Sequence, residues 1–163
     1  MSQLETKKRN FKKGLDLVSL ASQYFSKNTT SYRQTQDILF QIFLYKGDKT
    51  NALSTATQLN QNIDNLSGKI KNRSHLFYLA NANFKNNKFK DCLRDLYSND
   101  ITSDDKTGWD IGIRVLTIQT LIELNQFDDA ERFIDAFRKH INHAERKEFV
   151  RLRDKVIYTI LNK

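Results

Sequence analysis

The stretch from Tyr78 to Leu93 reads YLANANFKNNKFKDCL and decides the fold of this chain. Its first half mixes apolar and small residues in a helical pattern. The pair Asn86-Asn87 interrupts that pattern, and the aromatic Phe89 then opens a second stretch that carries a small residue, Cys92. Asparagine tolerates the left-handed backbone conformation that ends many helices. The stretch therefore predicts a helix, a sharp reversal and a second helix.

The same pattern recurs twice elsewhere in the chain. A Gly or Asn is followed two residues later by Phe or Lys, and three residues further on by a small residue. The three copies are centred on Gly47, Asn87 and Asn125, and their small residues are Ala52, Cys92 and Ala130. We expect the Gly or Asn to end one helix, the aromatic residue to pack into the elbow, and the small residue to let the second helix approach the first. Each copy then forms a helix hairpin.

A fainter fourth copy lies at Arg9–Leu15, where Phe11 takes the aromatic position and Gly14 the small one. With this copy included, the aromatic position recurs at intervals of 38, 40 and 38 residues, at Phe11, Lys49, Phe89 and Phe127. Nearly equal spacing of this kind is typical of repeat proteins, in which each unit buries its apolar face against the next.

The composition favours helices throughout. The chain has 163 residues, no proline and five glycines, whereas roughly one residue in twenty is proline in an average protein. Hydrophobic residues make up 39%, which is enough for a buried core despite the net charge of +8. No stretch alternates apolar and polar residues as a strand does. The fold class predicted from these features is all-α.

The stretch Tyr78–Leu93 resembles the core of a tetratricopeptide repeat (TPR), and Ile38–Leu53 and Ile118–Glu131 resemble weaker versions of it. Asn83 stands where that family usually has an aromatic residue, and no proline closes a repeat. The resemblance implies a right-handed α-α superhelix, a short solenoid of about three TPR-like helix hairpins with flanking helices.

Roughly the last ninety residues also resemble the C-terminal end of long bacterial helical-repeat proteins. The stretches that carry this likeness are Trp109–Arg114, Glu123-Leu124, Ala130–Lys139 and Glu145–Phe149. The resemblance implies that the chain is the C-terminal piece of a longer array.

These anchors predict one TPR-like domain over residues 1–163. Its parts are a leading helix or partial repeat at 1–27, hairpins at 31–65, 70–98 and 106–141, and a capping helix at 143–162.

The sequence contains no signal for secretion or membrane insertion. Charged residues, not an apolar segment, follow the N-terminus, and the single cysteine, Cys92, has no partner for an internal disulfide. Runs such as Ile42–Tyr45 are far shorter than the ~20 residues of a membrane span. We therefore expect a cytoplasmic protein that does not act in a membrane.

The residues that are capable of chemistry lack the partners that an active site needs. His140 and His143 are three residues apart but have no cysteine or glutamate partner in a zinc-binding arrangement, so we expect them at a solvated helix end near residue 141. Cys92 occupies the small position of a repeat, which predicts buried packing, and His75 has no partner that the sequence identifies. We expect no enzyme, no metal and no cofactor.

The TPR resemblance implies that the first helix of each hairpin lines a concave surface that binds a protein or peptide partner. The residues expected on this surface are Asp37, Gln41, Tyr45, Phe77, Asn81, Lys85, Gln119 and Glu123. The leading functional prediction is therefore a protein-protein interaction scaffold or adaptor.

The alternative is a nucleic-acid-associated helical repeat, because basic patches can neutralise phosphates. Lysine and arginine cluster within Lys7–Lys13, Lys69–Arg73 and Arg138–Lys155. A sensor whose groove binds a peptide or small ligand is a third class.

Overall fold

The computed structural model describes residues 10–27, 29–61, 74–98, 109–145, 156, 159 and 160. Within these ranges the regular structure consists of helices packed against one another, and no strand occurs. The all-α prediction is confirmed. The principal helices are α1 (Phe11–Tyr24), α2 (Thr30–Lys46), α3 (Lys49–Gln61), α4 (Ser74–Lys85), α5 (Phe89–Leu96), α6 (Trp109–Glu123) and α7 (Phe127–Glu145).

The three predicted reversals share one backbone geometry. Gly47, Asn87 and Asn125 all have positive φ, at 79°, 59° and 58°. In each case the following residue donates its N–H to the carbonyl five residues earlier at 2.9 Å, as in a Schellman motif. The prediction that these residues end helices in the left-handed conformation is confirmed.

The small positions of the repeat are buried, as predicted, at Ala52, Cys92 and Ala130. The aromatic position is less regular. Phe127 keeps 60% of its surface exposed, so the prediction that it packs into the elbow is wrong. A small residue at a helix crossing is required by the close approach of two backbones, whereas a side chain on the first turn of a helix can also point into solvent.

Two predicted helix boundaries are wrong. α1 begins at Phe11, so the leading helix predicted over 1–27 is interrupted, because the side chain of Asn10 accepts a hydrogen bond from the Lys13 N–H and caps the helix. Residues 1–9 of that prediction lie outside the described residues. α7 continues to Glu145 without the break predicted between residues 141 and 143. Most of the predicted capping helix, residues 143–162, lies outside the described residues.

The chain divides into two compact units, residues 1–88 and residues 89–163. In the first unit, α2, α3 and α4 enclose a cluster of five buried residues, Phe40, Ala52, Ala56, Leu59 and Ala82. In the second unit, α6 and α7 enclose another cluster, Ile111, Ile118, Phe137 and Ile141. The boundary at residue 88 falls within the hairpin predicted at 70–98, and the prediction of one domain over 1–163 stays a prediction.

None of the helices in the described ranges combines the length and the apolar character that are needed to cross a bilayer.

Candidate functional site

Polar side chains converge where α2 and α4 face each other in the first unit. We name the set Arg33, Asp37, Gln41, His75 and Tyr78 the polar seam. Arg33, Asp37 and Gln41 follow one another at intervals of four on α2, and His75 and Tyr78 are three apart on α4, so each group lies on one helical face.

The apolar core holds the two helices in this register. The ring of Tyr78 stacks on that of buried Phe40 on α2, with 4.7 Å between the ring centroids. The side-chain amide of Gln41 forms a hydrogen bond with the Tyr78 hydroxyl. Burial raises the pKa of Tyr78, and the neighbouring Asp37 carboxylate raises it further. Tyr78 is therefore an uncharged hydrogen-bonding group in the seam.

His75 is a neutral, buried member of the seam, with only 1% of its surface exposed. The Arg33 Nε–H donates to His75 Nε2 at 3.0 Å, and Arg33 Nη2 lies 2.7 Å from the same nitrogen. Since an arginine has no lone pair to offer, Nε2 must be unprotonated and accept. Burial lowers the pKa of His75 to about 4, and the Arg33 charge acts in the same direction.

Asp37 is the least satisfied group of the seam. Its Oδ1 is buried and has no hydrogen-bond partner among the described residues, although it lies 3.8 Å from His75 Nε2. Burial raises the pKa of Asp37 to about 6, against the opposing effect of the Arg33 charge. The side chain as a whole keeps 26% exposure. Asp37 thus combines a buried oxygen that lacks a hydrogen bond with a partly accessible remainder at the edge of the seam.

The residues predicted to bind a partner occupy different environments. In the first unit, Asp37 and Gln41 lie in the polar seam, Phe77 and Asn81 are partly buried on α4, and Tyr45 and Lys85 are exposed. In the second unit, Gln119 and Glu123 are exposed on α6. The structure brings Asp37 and Gln41 together with Tyr78. Whether any of the eight residues contacts a partner stays a prediction.

Asn81 has already used part of its hydrogen-bonding capacity. Its Nδ2 donates to the Phe77 carbonyl at 2.8 Å on the same helix. That bond uses one donor of the side chain, so the amide oxygen of Asn81 keeps its acceptor capacity.

Sequence reasoning missed Arg33, His75 and Tyr78. The i,i+4 pair of Arg33 and Asp37 is visible in the sequence, but such pairs are common on solvated helix faces. Arg33 and Asp37 become part of a larger polar group because Arg33 also contacts His75, which lies 42 residues away in the sequence. Only the register of α4 against α2 reveals it.

The second unit contains its own Asp, Arg and His group. Arg114 Nε and His140 Nε2 lie 3.0 Å and 3.3 Å from the same oxygen, Asp110 Oδ2. His140 therefore contacts α6 from within α7, and the prediction of a solvated helix end is wrong for this residue. The side chain of His143 lies outside the described residues, and no group of three metal-binding side chains occurs in the described part.

Cys92 packs in the interior of the second unit, as predicted. Its Sγ lies 3.3 Å from Thr120 Oγ1, and the Thr120 hydroxyl donates to the Leu116 carbonyl at 2.6 Å. Because that hydroxyl has a single proton, the thiol is the donor in the contact with Thr120. The sulfur is thus a buried, hydrogen-bonded group.

Comparison with known proteins identified no relative: no family model matches this chain, and no curated protein or solved structure is significantly similar to it.

Proposed function

We propose that this chain is a TPR-like helical repeat, a right-handed superhelix of about three hairpins, that binds an extended segment of a protein partner on the face formed by α2 and α4. The proposed role is that of a scaffold or adaptor, and it includes no catalytic activity. The main structural support for this binding face comes from Asp37.

A buried carboxylate oxygen without a hydrogen bond costs stability. The neighbouring donors of Arg33 and Gln41 do not relieve this cost, since neither residue forms a hydrogen bond with Asp37 Oδ1. Because Oδ1 itself is buried, a ligand reaches this carboxylate through its accessible part, where the side chain keeps 26% exposure, and an N–H group bound there would stabilise the buried charge. An extended peptide offers such donors along its backbone, and lysine or arginine side chains offer stronger ones.

The surroundings of Asp37 suit a peptide. Phe77 is partly buried and partly accessible, so its ring supplies contact area, and the free acceptor capacity of Asn81 lies on the same helix. His75 is too buried to exchange protons with a substrate, and its Nε2 is occupied by Arg33. These features support binding over acid-base catalysis.

The proposal is tested by selecting peptides from a random displayed library on the intact protein. We expect enriched peptides whose affinity falls about tenfold in Asp37→Ala, because a buried charge-assisted hydrogen bond is lost. Asp37→Asn keeps an acceptor and should lose less. Asp135→Ala, which removes an exposed carboxylate from α7, is the matched control and should bind normally.

Failure to enrich any peptide would remove the proposal. So would a set of peptides that bind Asp37→Ala and the control variant equally well, because the binding surface would then lie elsewhere.

A further inference from the structure

Two chain reversals meet at one end of the first unit. The side chain of Asn86, which follows α4, donates from Nδ2 to the Lys49 carbonyl at the start of α3, at 3.0 Å. This bond places the C-terminal turn of α4 beside the connection between α2 and α3. The side chains of both reversals therefore share one surface.

Lysine dominates this surface. We name the set Lys46, Lys49, Lys85 and Lys88 the lysine end, and all four side chains are exposed. In the described part of the chain none of the four lies within 4.0 Å of a carboxylate oxygen, although, with the hydrogen bonds from Asn51, the Lys46 charge contributes to lowering the pKa of Asp48. The one carboxylate in these two reversals, Asp48, accepts hydrogen bonds from the backbone N–H and the side-chain amide of Asn51, at 3.2 Å and 2.8 Å.

Helix stability explains only part of this arrangement. Lys46 and Lys85 lie in the last turns of α2 and α4, where a positive charge complements the helix dipole. Lys49 is the first residue of α3, where the dipole disfavours a cation, and the first turn of α3 contains no acidic residue. The helix dipole therefore gives no reason for a lysine in that position.

An exposed aromatic ring accompanies the lysines. Tyr45 keeps 70% of its surface exposed in the last turn of α2. It lies two residues before Gly47, as Lys85 lies two residues before Asn87, so Tyr45 and Lys85 occupy equivalent positions in successive reversals. Lysines that neutralise phosphates beside an aromatic ring on which a base stacks are the combination that binds single-stranded nucleic acid.

We propose that the lysine end, together with Tyr45, binds single-stranded nucleic acid. The lysines contact backbone phosphates and the tyrosine ring stacks on a base, so recognition depends little on sequence. This surface shares no residue with the polar seam, although Tyr45, Lys46 and Lys85 lie at the ends of α2 and α4, the helices of the face proposed above. The inference rests on the lysines and Tyr45 and does not depend on the proposed function.

The test measures the fluorescence anisotropy of a labelled oligouridine with the full chain at a series of salt concentrations. Lys49→Gln should weaken binding about threefold or more at low salt and should lower the slope of log affinity against log salt by about 0.7, the value of one phosphate contact on a single strand. Tyr45→Ala should weaken binding about fivefold or more through loss of stacking.

Lys27→Gln is the matched control. It also removes one exposed lysine, but Lys27 precedes α2, whose 17 residues extend about 25 Å between it and Lys46. This variant should keep the affinity and the salt slope of the parent protein. All of these substitutions are at exposed positions, and circular dichroism should show the same helical content in each.

Three results would overturn the proposal. The first is no binding of the oligouridine at low salt. The second is an equal loss in Lys49→Gln and Lys27→Gln, which would indicate attraction by net charge alone. The third is an unchanged affinity in Tyr45→Ala combined with binding to phosphatidylserine-containing vesicles but not to pure phosphatidylcholine vesicles, which would identify an anionic lipid surface as the ligand.

Discussion

Asp37 and His75 respond to burial in opposite directions. Loss of solvent disfavours the charged form of each group, which raises the pKa of the carboxyl from 3.8 to about 6 and lowers the pKa of the imidazole from 6.5 to about 4. Between pH 6.5 and 4 the unfolded chain therefore binds a proton on His75 that the folded chain does not, so acidification destabilises the fold. Between about pH 6 and 3.8 the folded chain binds a proton on Asp37 that the unfolded chain does not, so acidification stabilises it.

These two contributions nearly cancel in the parent protein, and one substitution should separate them. In Asp37→Asn the stabilising contribution is absent, so the free energy of unfolding should fall between pH 6.5 and 4 by on the order of 2 kcal/mol more than in the parent. At pH 8 the same variant should be at least as stable as the parent, because it removes a charge whose buried oxygen lacks a hydrogen bond and whose burial outweighs its attraction to Arg33. Urea unfolding at several pH values measures both effects.

Asp135→Asn is the control for this prediction, because it removes an exposed carboxylate that pairs with Arg138. Its stability should follow that of the parent across the pH range. Parallel curves for Asp37→Asn and the parent would show that Asp37 titrates normally and is not desolvated.

At the scale of elements, the reversals are the best determined part of the fold. Gly47 has a φ of 79°, and a Cβ added there would meet no atom within 4 Å, so the cost of a side chain is purely one of backbone conformation. We expect Gly47→Ala to lower the free energy of unfolding by about 1 kcal/mol. Gly47→Asn should cost less, since Asn87 and Asn125 already adopt this conformation. Chemical denaturation compares the two, and equal losses would contradict the explanation.

The reversals could be predicted because their chemistry is local: a left-handed residue and the small residue five positions later are both visible in the sequence. The start of α1 was missed although Asn10 is a common capping residue, because an apolar pattern alone does not mark where a helix begins. Three of the five residues of the polar seam were missed for a different reason. Asp37 and Gln41 followed from the repeat resemblance, whereas His75 becomes significant only through its contact with Arg33 across two helices.

At the scale of the whole molecule, each of the two units has a buried cluster of its own. A change that disrupts packing in one cluster should therefore act mainly on the unit that contains it. Hydrogen exchange reports this directly, because it measures local opening in each helix separately.

Ala130 provides the test, since it is buried on α7 at a position where the repeat requires a small residue. Ala130→Trp should lower the stability of the second unit by about 1–3 kcal/mol through overpacking. Amides of α6 and α7 should then exchange faster, while those of α2 and α3 keep the protection that they have in the parent. Glu131→Trp adds the same side chain at the next, exposed position of α7 and should leave exchange unchanged. Equal acceleration in all four helices of Ala130→Trp would show instead that the two clusters unfold together, as in a repeat array whose units are stable only jointly.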